Sequence, residues 1–148
     1  MYRVAATNQY ACPRCLRPFV TYQVGVYLVD ACVDCGGLFL DNATTREVVS
    51  SFDRSLVGVA TTLGIGKGET LQKGVNQRNL TCPKCSAGLQ TVEVPAAQVE
   101  LDVCTEHGTW FDANELPKVA RAYKRSRGSL ANDALGKVLD GALRSGPT

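Results

Sequence analysis

Four short pairs of metal-ligating residues constrain this chain more than any other feature: Cys12-x2-Cys15, Cys32-x2-Cys35, Cys82-x2-Cys85 and Cys104-x2-His107. They use all seven cysteines and the single histidine of the 148 residues. An odd cysteine count strands one thiol in any disulfide framework, whereas two sets of four donors leave nothing over. Sixteen residues separate the knuckles of the first set and eighteen those of the second, both within the range of two-knuckle zinc sites. Redox Cys-x2-Cys pairs are the competing reading, but fourfold repetition in register with His in one slot favours zinc. The expected ligands are Cys12, Cys15, Cys32 and Cys35 at one site and Cys82, Cys85, Cys104 and His107 at the other. Two Zn2+ are therefore the expected cofactors, one in an all-cysteine site and one in a site of three cysteines and a histidine. Catalytic zinc keeps a position open for water or substrate. Both sets here are complete, so the sites read as structural.

The surrounding sequence repeats with the ligands. Cys-Pro-Arg-Cys at 12–15 matches Cys-Pro-Lys-Cys at 82–85, and Gly36-Gly37-Leu38-Phe39-Leu40-Asp41 answers Gly108-Thr109-Trp110-Phe111-Asp112, one residue shorter. One unit is used twice, offset by about seventy residues. Each unit has only some thirty-five residues, too few to outweigh chain entropy without a staple. Zinc in finger peptides supplies on the order of 10–16 kcal/mol, comparable to the stability of an ordinary domain.

Between knuckles the apolar period is two. Val92 and Val94 alternate with Glu93, and Val99, Leu101 and Val103 alternate with Glu100 and Asp102, with Pro95-Ala96-Ala97 as the connection. In the first unit Phe19–Gln23 and Val26–Ala31 flank Gly25. Val20, Tyr22, Val26 and Leu28 are assigned to one face and Tyr27 and Val29 to the other, with a helix as a candidate cover. After each ribbon the period lengthens to about 3.6. Asp41 and the Thr44-x-x-Glu47 box open a helix expected over 42–63, and the Asp112-x-x-Glu115 box opens another over 113–127.

The fold class expected is small α+β and metal-stapled: two zinc ribbons, each a β-hairpin with two knuckles, each followed by an α-helix. The organisation expected is ribbon 1 over 1–41, a helix over 42–63, a Gly-rich linker over 64–80, ribbon 2 over 81–112, a basic amphipathic helix over 113–127 and a weakly helical or disordered tail over 128–148.

These residues resemble the bacterial family of small zinc ribbons named after transcription factor IIB, whose pattern is Cys-Pro-x-Cys, a short hairpin, and Cys-x-x-Cys-Gly-Gly running into a Val-Trp-Leu-Asp-like segment and a Glu-Leu helix start. The likeness covers Cys12 to Asp41 and Cys82 to Leu116. The first copy carries Phe39 in place of Trp and Thr44 in place of Glu; the second has His107 as its last ligand and one Gly fewer. The resemblance implies the ribbon fold and bound zinc, and its name points toward transcription.

Charge separates the function classes. The formal charge of +2 counts Cys as neutral, and seven thiolates with two Zn2+ bring the chain to −1. By region it is neutral over 1–41, +2 over 42–80, −5 over 81–116 and +5 over 117–148. Ribbon 2, with Glu93, Glu100, Asp102 and Glu106, would be repelled by phosphate. The following helix carries Lys118, Arg121, Lys124, Arg125 and Arg127, candidate contacts for a partner or for nucleic acid. Those cations also suit a solvated helix whose C-terminal charges offset the macrodipole. Arg14 and Lys84 sit inside knuckles, where they can offset thiolate charge. Trp110 reads as core packing over a zinc site and Gly64-x-Gly66-x-Gly68 as linker, because its spacing matches no phosphate-binding loop.

The leading expectation is a non-catalytic regulatory adaptor that binds a protein partner through ribbon and helix surfaces. The alternative is a transcription-associated nucleic-acid binder using the basic 116–127 helix. No Cys or His remains for nucleophilic or general-base work, so an enzyme is not expected. No run approaches the roughly 18 apolar residues of a membrane span, and Met1 to Tyr10 has no leader pattern, so the expected compartment is a reducing cytoplasm.

Overall fold

The computed structural model describes residues 2–51, 53–67 and 80–125. Seven strands form one antiparallel sheet: β1 (Tyr2–Ala11), β2 (Pro18–Val24), β3 (Tyr27–Ala31), β4 (Leu38–Asp41), β5 (Gln90–Val94), β6 (Val99–Cys104) and β7 (Gly108–Phe111), in the order β1-β2-β3-β4-β7-β6-β5. Among the described residues three α-helices complete it, α1 (Asn42–Ser51), α2 (Arg54–Gly64) and α3 (Glu115–Arg125), with a 3-10 turn at Pro95–Ala97.

The two ribbons are thus joined edge to edge through β4 and β7, with Phe39 opposite Trp110, Leu38 opposite Phe111 and Leu40 opposite Thr109. Phe39 and Trp110 occupy the same position in the two repeats. Pairing them directly places a pseudo-twofold axis at the middle of the sheet, with β2-β3-β4 on one side and β5-β6-β7 on the other. Close approach of the central strands depends on glycine. A Cβ at Gly108 would lie 2.1 Å from the Leu40 carbonyl oxygen, and one at Gly37 would lie 2.3 Å from the Trp110 ring.

Alternation along the strands sends side chains into two cores. On one face Tyr22, Val24, Val29, Leu38, Leu40, Val92, Leu101, Val103 and Phe111 pack with Val48, Leu56, Val59, Leu116, Val119 and Tyr123 of the helices. On the other, Phe19, Phe39, Leu80 and Trp110 cluster with Cys12, Cys32, Cys82 and Cys104. The metal ligands share this second core.

Several expectations change. Strand β1 is an addition to the expected hairpins; it pairs with β2 from Tyr2 opposite Val24 to Ala11 opposite Pro18. The faces of the first hairpin also differ, because Gly25 (φ 61°) and Val26 form a two-residue turn that sets Tyr22 opposite Val29 and Val24 opposite Tyr27. Tyr27 and Val29 therefore share the helix-covered face with Val20 and Tyr22, while Val26 and Leu28 are exposed.

The single helix expected over 42–63 is two. Asp53, extended at ψ 106°, stops the first and caps the second, its carboxylate accepting from the Leu56 N–H at 2.9 Å. Gly64, expected to begin a linker, is buried and ends α2. The helix expected over 113–127 starts later, at Glu115, and runs to Arg125. Arg127, the tail over 128–148 and 68–79 of the linker lie outside the described residues.

Two glycines give opposite expectations. Gly108→Ala should destabilise the zinc-loaded protein by several kcal/mol, because backbone stands where the methyl group must go. Gly58→Ala, exposed within α2 with nothing near its Cβ position, should stabilise it by about 0.5–1 kcal/mol. Urea denaturation of both variants reads the signs.

Candidate metal centres

Each knuckle is built by its backbone before any metal is considered. In three of the four, the residue after the second ligand donates its N–H to the carbonyl of the first ligand: Leu16 to Cys12, Gly36 to Cys32 and Ser86 to Cys82, each at 2.8 Å. These three residues have φ of 62°, 78° and 66°. The return is closed by Cys12 N to Arg17 O, Cys32 N to Gly37 O and Cys82 N to Ala87 O. The fourth knuckle, one residue shorter, turns more tightly. His107 N donates to Cys104 O at 3.2 Å, and Gly108 enters β7 at once.

The turns bring the donors together as the spacing requires. Cys12, Cys15, Cys32 and Cys35 form one group and Cys82, Cys85, Cys104 and His107 the other, with donor atoms within 4.8 Å of one another in each. The Cys12 and Cys35 sulfurs are 3.8 Å apart, as are those of Cys85 and Cys104, and Cys104 Sγ is 3.5 Å from His107 Nδ1. With Zn–S near 2.3 Å and Zn–N near 2.0–2.1 Å, a tetrahedron has S···S edges of about 3.8 Å and S···N edges of about 3.5 Å. The donor sets therefore fit zinc. They are complete at four, the arrangement of a structural site.

Thiolate charge is prepared for by N–H donors. Arg14 N and Cys15 N each point at Cys12 Sγ at 3.3 Å, and Lys84 N points at Cys82 Sγ at 3.4 Å. Without metal, burial first and then neighbouring thiols push Cys15 up to about 12. Burial does the same for Cys82, also to about 12, and the hydrogen bond with Cys12, followed by burial, raises Cys35 further. Without metal, Cys15, Cys35 and Cys82 thus stay protonated in neutral solution. Above the ordinary thiol value an unfolded chain ionises while these thiols do not, so the metal-free fold loses stability as pH rises.

The cations of the first knuckle of each repeat cross to the other repeat. Arg14 forms a two-point ion pair with Asp112, with Nη2 donating to Oδ2 at 3.0 Å and Nε to Oδ1. Burial opposes its charge, but Asp112, Asp102 and Glu115 together hold the guanidinium above its ordinary value. Lys84 Nζ lies 3.1 Å from Asp30 Oδ2 and 3.9 Å from the centre of the Tyr10 ring. Asp30 and Asp102 stand two residues before Cys32 and Cys104, so the repeat places the two acids at matching positions.

Trp110 is fully buried, stacks on Phe19 at 6.1 Å and 28°, and donates from Nε1 to Asp112 Oδ1 at 2.9 Å. The second capping box is half formed. Glu115 Oε1 accepts from Asp112 N at 2.9 Å, while the Asp112 carboxylate turns to Trp110 and Arg14. Asp102, expected as a surface repeller of phosphate, is instead fully buried. Among the other candidates, Lys118, Arg121, Lys124 and Arg125 are exposed on α3, and Lys118 and Lys124 make further contacts within the protein.

The fold and the two sites define a tandem zinc-ribbon protein. The family model described as transcription factor zinc-finger matches residues 11–50 and 81–122, more than half of the chain, and the protein belongs to that family. No curated protein and no solved structure matches it.

Loading with zinc should release about one proton per cysteine, four at the first site and three at the second, at pH 7.5. Calorimetry in buffers of different ionisation enthalpy reads the number. A release of two or fewer would mean that the thiols are not the donors.

Proposed function

We propose that the protein is a non-catalytic interaction module whose zinc sites shape a docking surface for a protein partner, in the manner of a regulatory adaptor. The observation that carries this reading is a difference between the repeats at their tips. Leu16 and Val33, flanking ligands of the first site, are 72% and 48% exposed; the matching residues of the second site are Ser86 and Thr105. Two exposed apolar side chains at one tip, where the other repeat has hydroxyl side chains, support a surface kept for binding.

The surroundings support it. Arg17 and Asp34, next in sequence to Leu16 and Val33, pair at 3.5 Å across the two knuckles. The end of α2 joins this tip, since the Leu63 carbonyl lies 2.6 Å from where a Cβ of Gly36 would be, and Ile65 beyond it is 71% exposed. A cavity of about 450 Å3 opens alongside, lined by Arg14, Asp34, Cys35, Gly66, Lys67 and Asp112.

A second reading, nucleic-acid binding in transcription, is favoured by Arg121 and Arg125, exposed one helical turn apart on α3. The two separate by experiment. Leu16→Ser with Val33→Thr should weaken partner capture from nuclease-treated lysate by about tenfold or more while both zinc ions stay bound, the loss expected when a buried apolar anchor is removed. Arg121→Ala with Arg125→Ala should leave that capture unchanged. Capture that vanishes on nuclease treatment, and falls with salt and with the arginine changes instead, would support the second reading.

A further inference from the structure

We infer that the two metal sites load as one unit, each binding zinc more tightly when the other is filled, because the knuckles of each are braced by hydrogen bonds and packing from the other repeat. This coupling is independent of which partner the surface binds.

The second site leans on the first repeat at its weakest turn. The fourth knuckle is the short one, and its carbonyls are held by Asn42, the first residue of α1. Asn42 N donates to His107 O at 3.1 Å, and Asn42 Nδ2 donates to Thr105 O at 2.9 Å and Cys104 O at 3.4 Å. Asn42 is itself buried. The chain reaches it only after closing the first site, since β4 leads from the Cys32–Cys35 knuckle directly into α1.

The first site leans on the second repeat in return. The Arg14 backbone N–H points at Cys12 Sγ while its guanidinium is held by Asp112, ninety-eight residues away. Trp110 stacks on Phe19 and lies under Gly37, the residue whose carbonyl accepts from Cys32 N. Lys84 completes the exchange at Asp30.

These links matter because each repeat alone is too small to order itself. Zinc at one site orders its own knuckles and, through β4, β7, Asn42 and Arg14, much of what the other needs. The second ion then meets a site whose ordering cost is already partly met, and tighter binding follows without any direct contact between the ions.

The test uses the full chain, stripped by chelator and titrated with zinc against a competing dye, with cobalt(II) absorption to tell the all-cysteine site from the histidine-containing one. His107→Ala should weaken loading of the first site by about tenfold or more, and Cys35→Ser should weaken the second by a similar factor, because coupling is reciprocal. His107→Cys, which returns a fourth donor, should restore the first site. In a chain with Arg14→Met and Asn42→Ala, which keeps all eight donors, both ions should still bind and the effect of His107→Ala should fall below about threefold. First-site loading in His107→Ala within twofold of the parent chain overturns the inference, as does failure of His107→Cys to restore it.

Discussion

Eight side-chain donors, gathered from four chain turns into two groups less than 4.8 Å across, are the interaction on which the rest of this structure depends. The turns between them are short, and the strands they join have four to ten residues. Such strands do not order themselves in water. A metal that fixes both ends of a hairpin removes most of the chain entropy that opposes it, and does so where backbone N–H groups already point at the Cys12 and Cys82 sulfurs. The ligands are not appended to a core; four of the seven cysteines are core residues, packed with Phe19, Phe39 and Trp110.

Duplication turns two marginal ribbons into one sheet. A single ribbon leaves its third strand as an open edge, and here the two third strands, β4 and β7, close on each other about the Phe39–Trp110 pair. The repeats have then diverged where the pseudo-symmetry does not need them alike. Trp in one copy and Phe in the other fill the centre, with Gly37 leaving room for the larger ring. The first tip is apolar and the second polar, so that two sites of the same kind present different surfaces.

What the sequence discloses is what is local. Ligand identity, the ribbon hairpins and the start of the first helix follow from spacing, period and capping residues, and all eight donors meet as their spacing implies. The rest is set by contacts distant in the chain. Strand β1 finds its place only because β2 offers an edge, and Tyr2–Ala11 carries no turn or alternation strong enough to announce it. The break at Asp53 hides inside a continuous apolar pattern, since Val48, Leu56 and Val59 reach the same core from two helices. The knuckle cations are readable as neutralising thiolate, but not as ties between repeats, because nothing in Cys-Pro-Arg-Cys says that Arg14 will meet Asp112. The charge count misleads at Asp102, Asp112 and Glu115, three carboxylates that lie inside the protein.

Among the described residues no helix is long and apolar enough to cross a membrane, and each metal site gathers four protein donors, the number a structural zinc site uses. The claim beneath all of this is the pair of donor sets, and X-ray absorption at the zinc edge on the full chain, combined with its native mass, tests it most directly. The account predicts two zinc ions per chain sharing a shell of seven sulfurs at about 2.3 Å and one nitrogen at about 2.0–2.1 Å. A single ion, or a shell containing oxygen in place of any of the sulfurs, would contradict it.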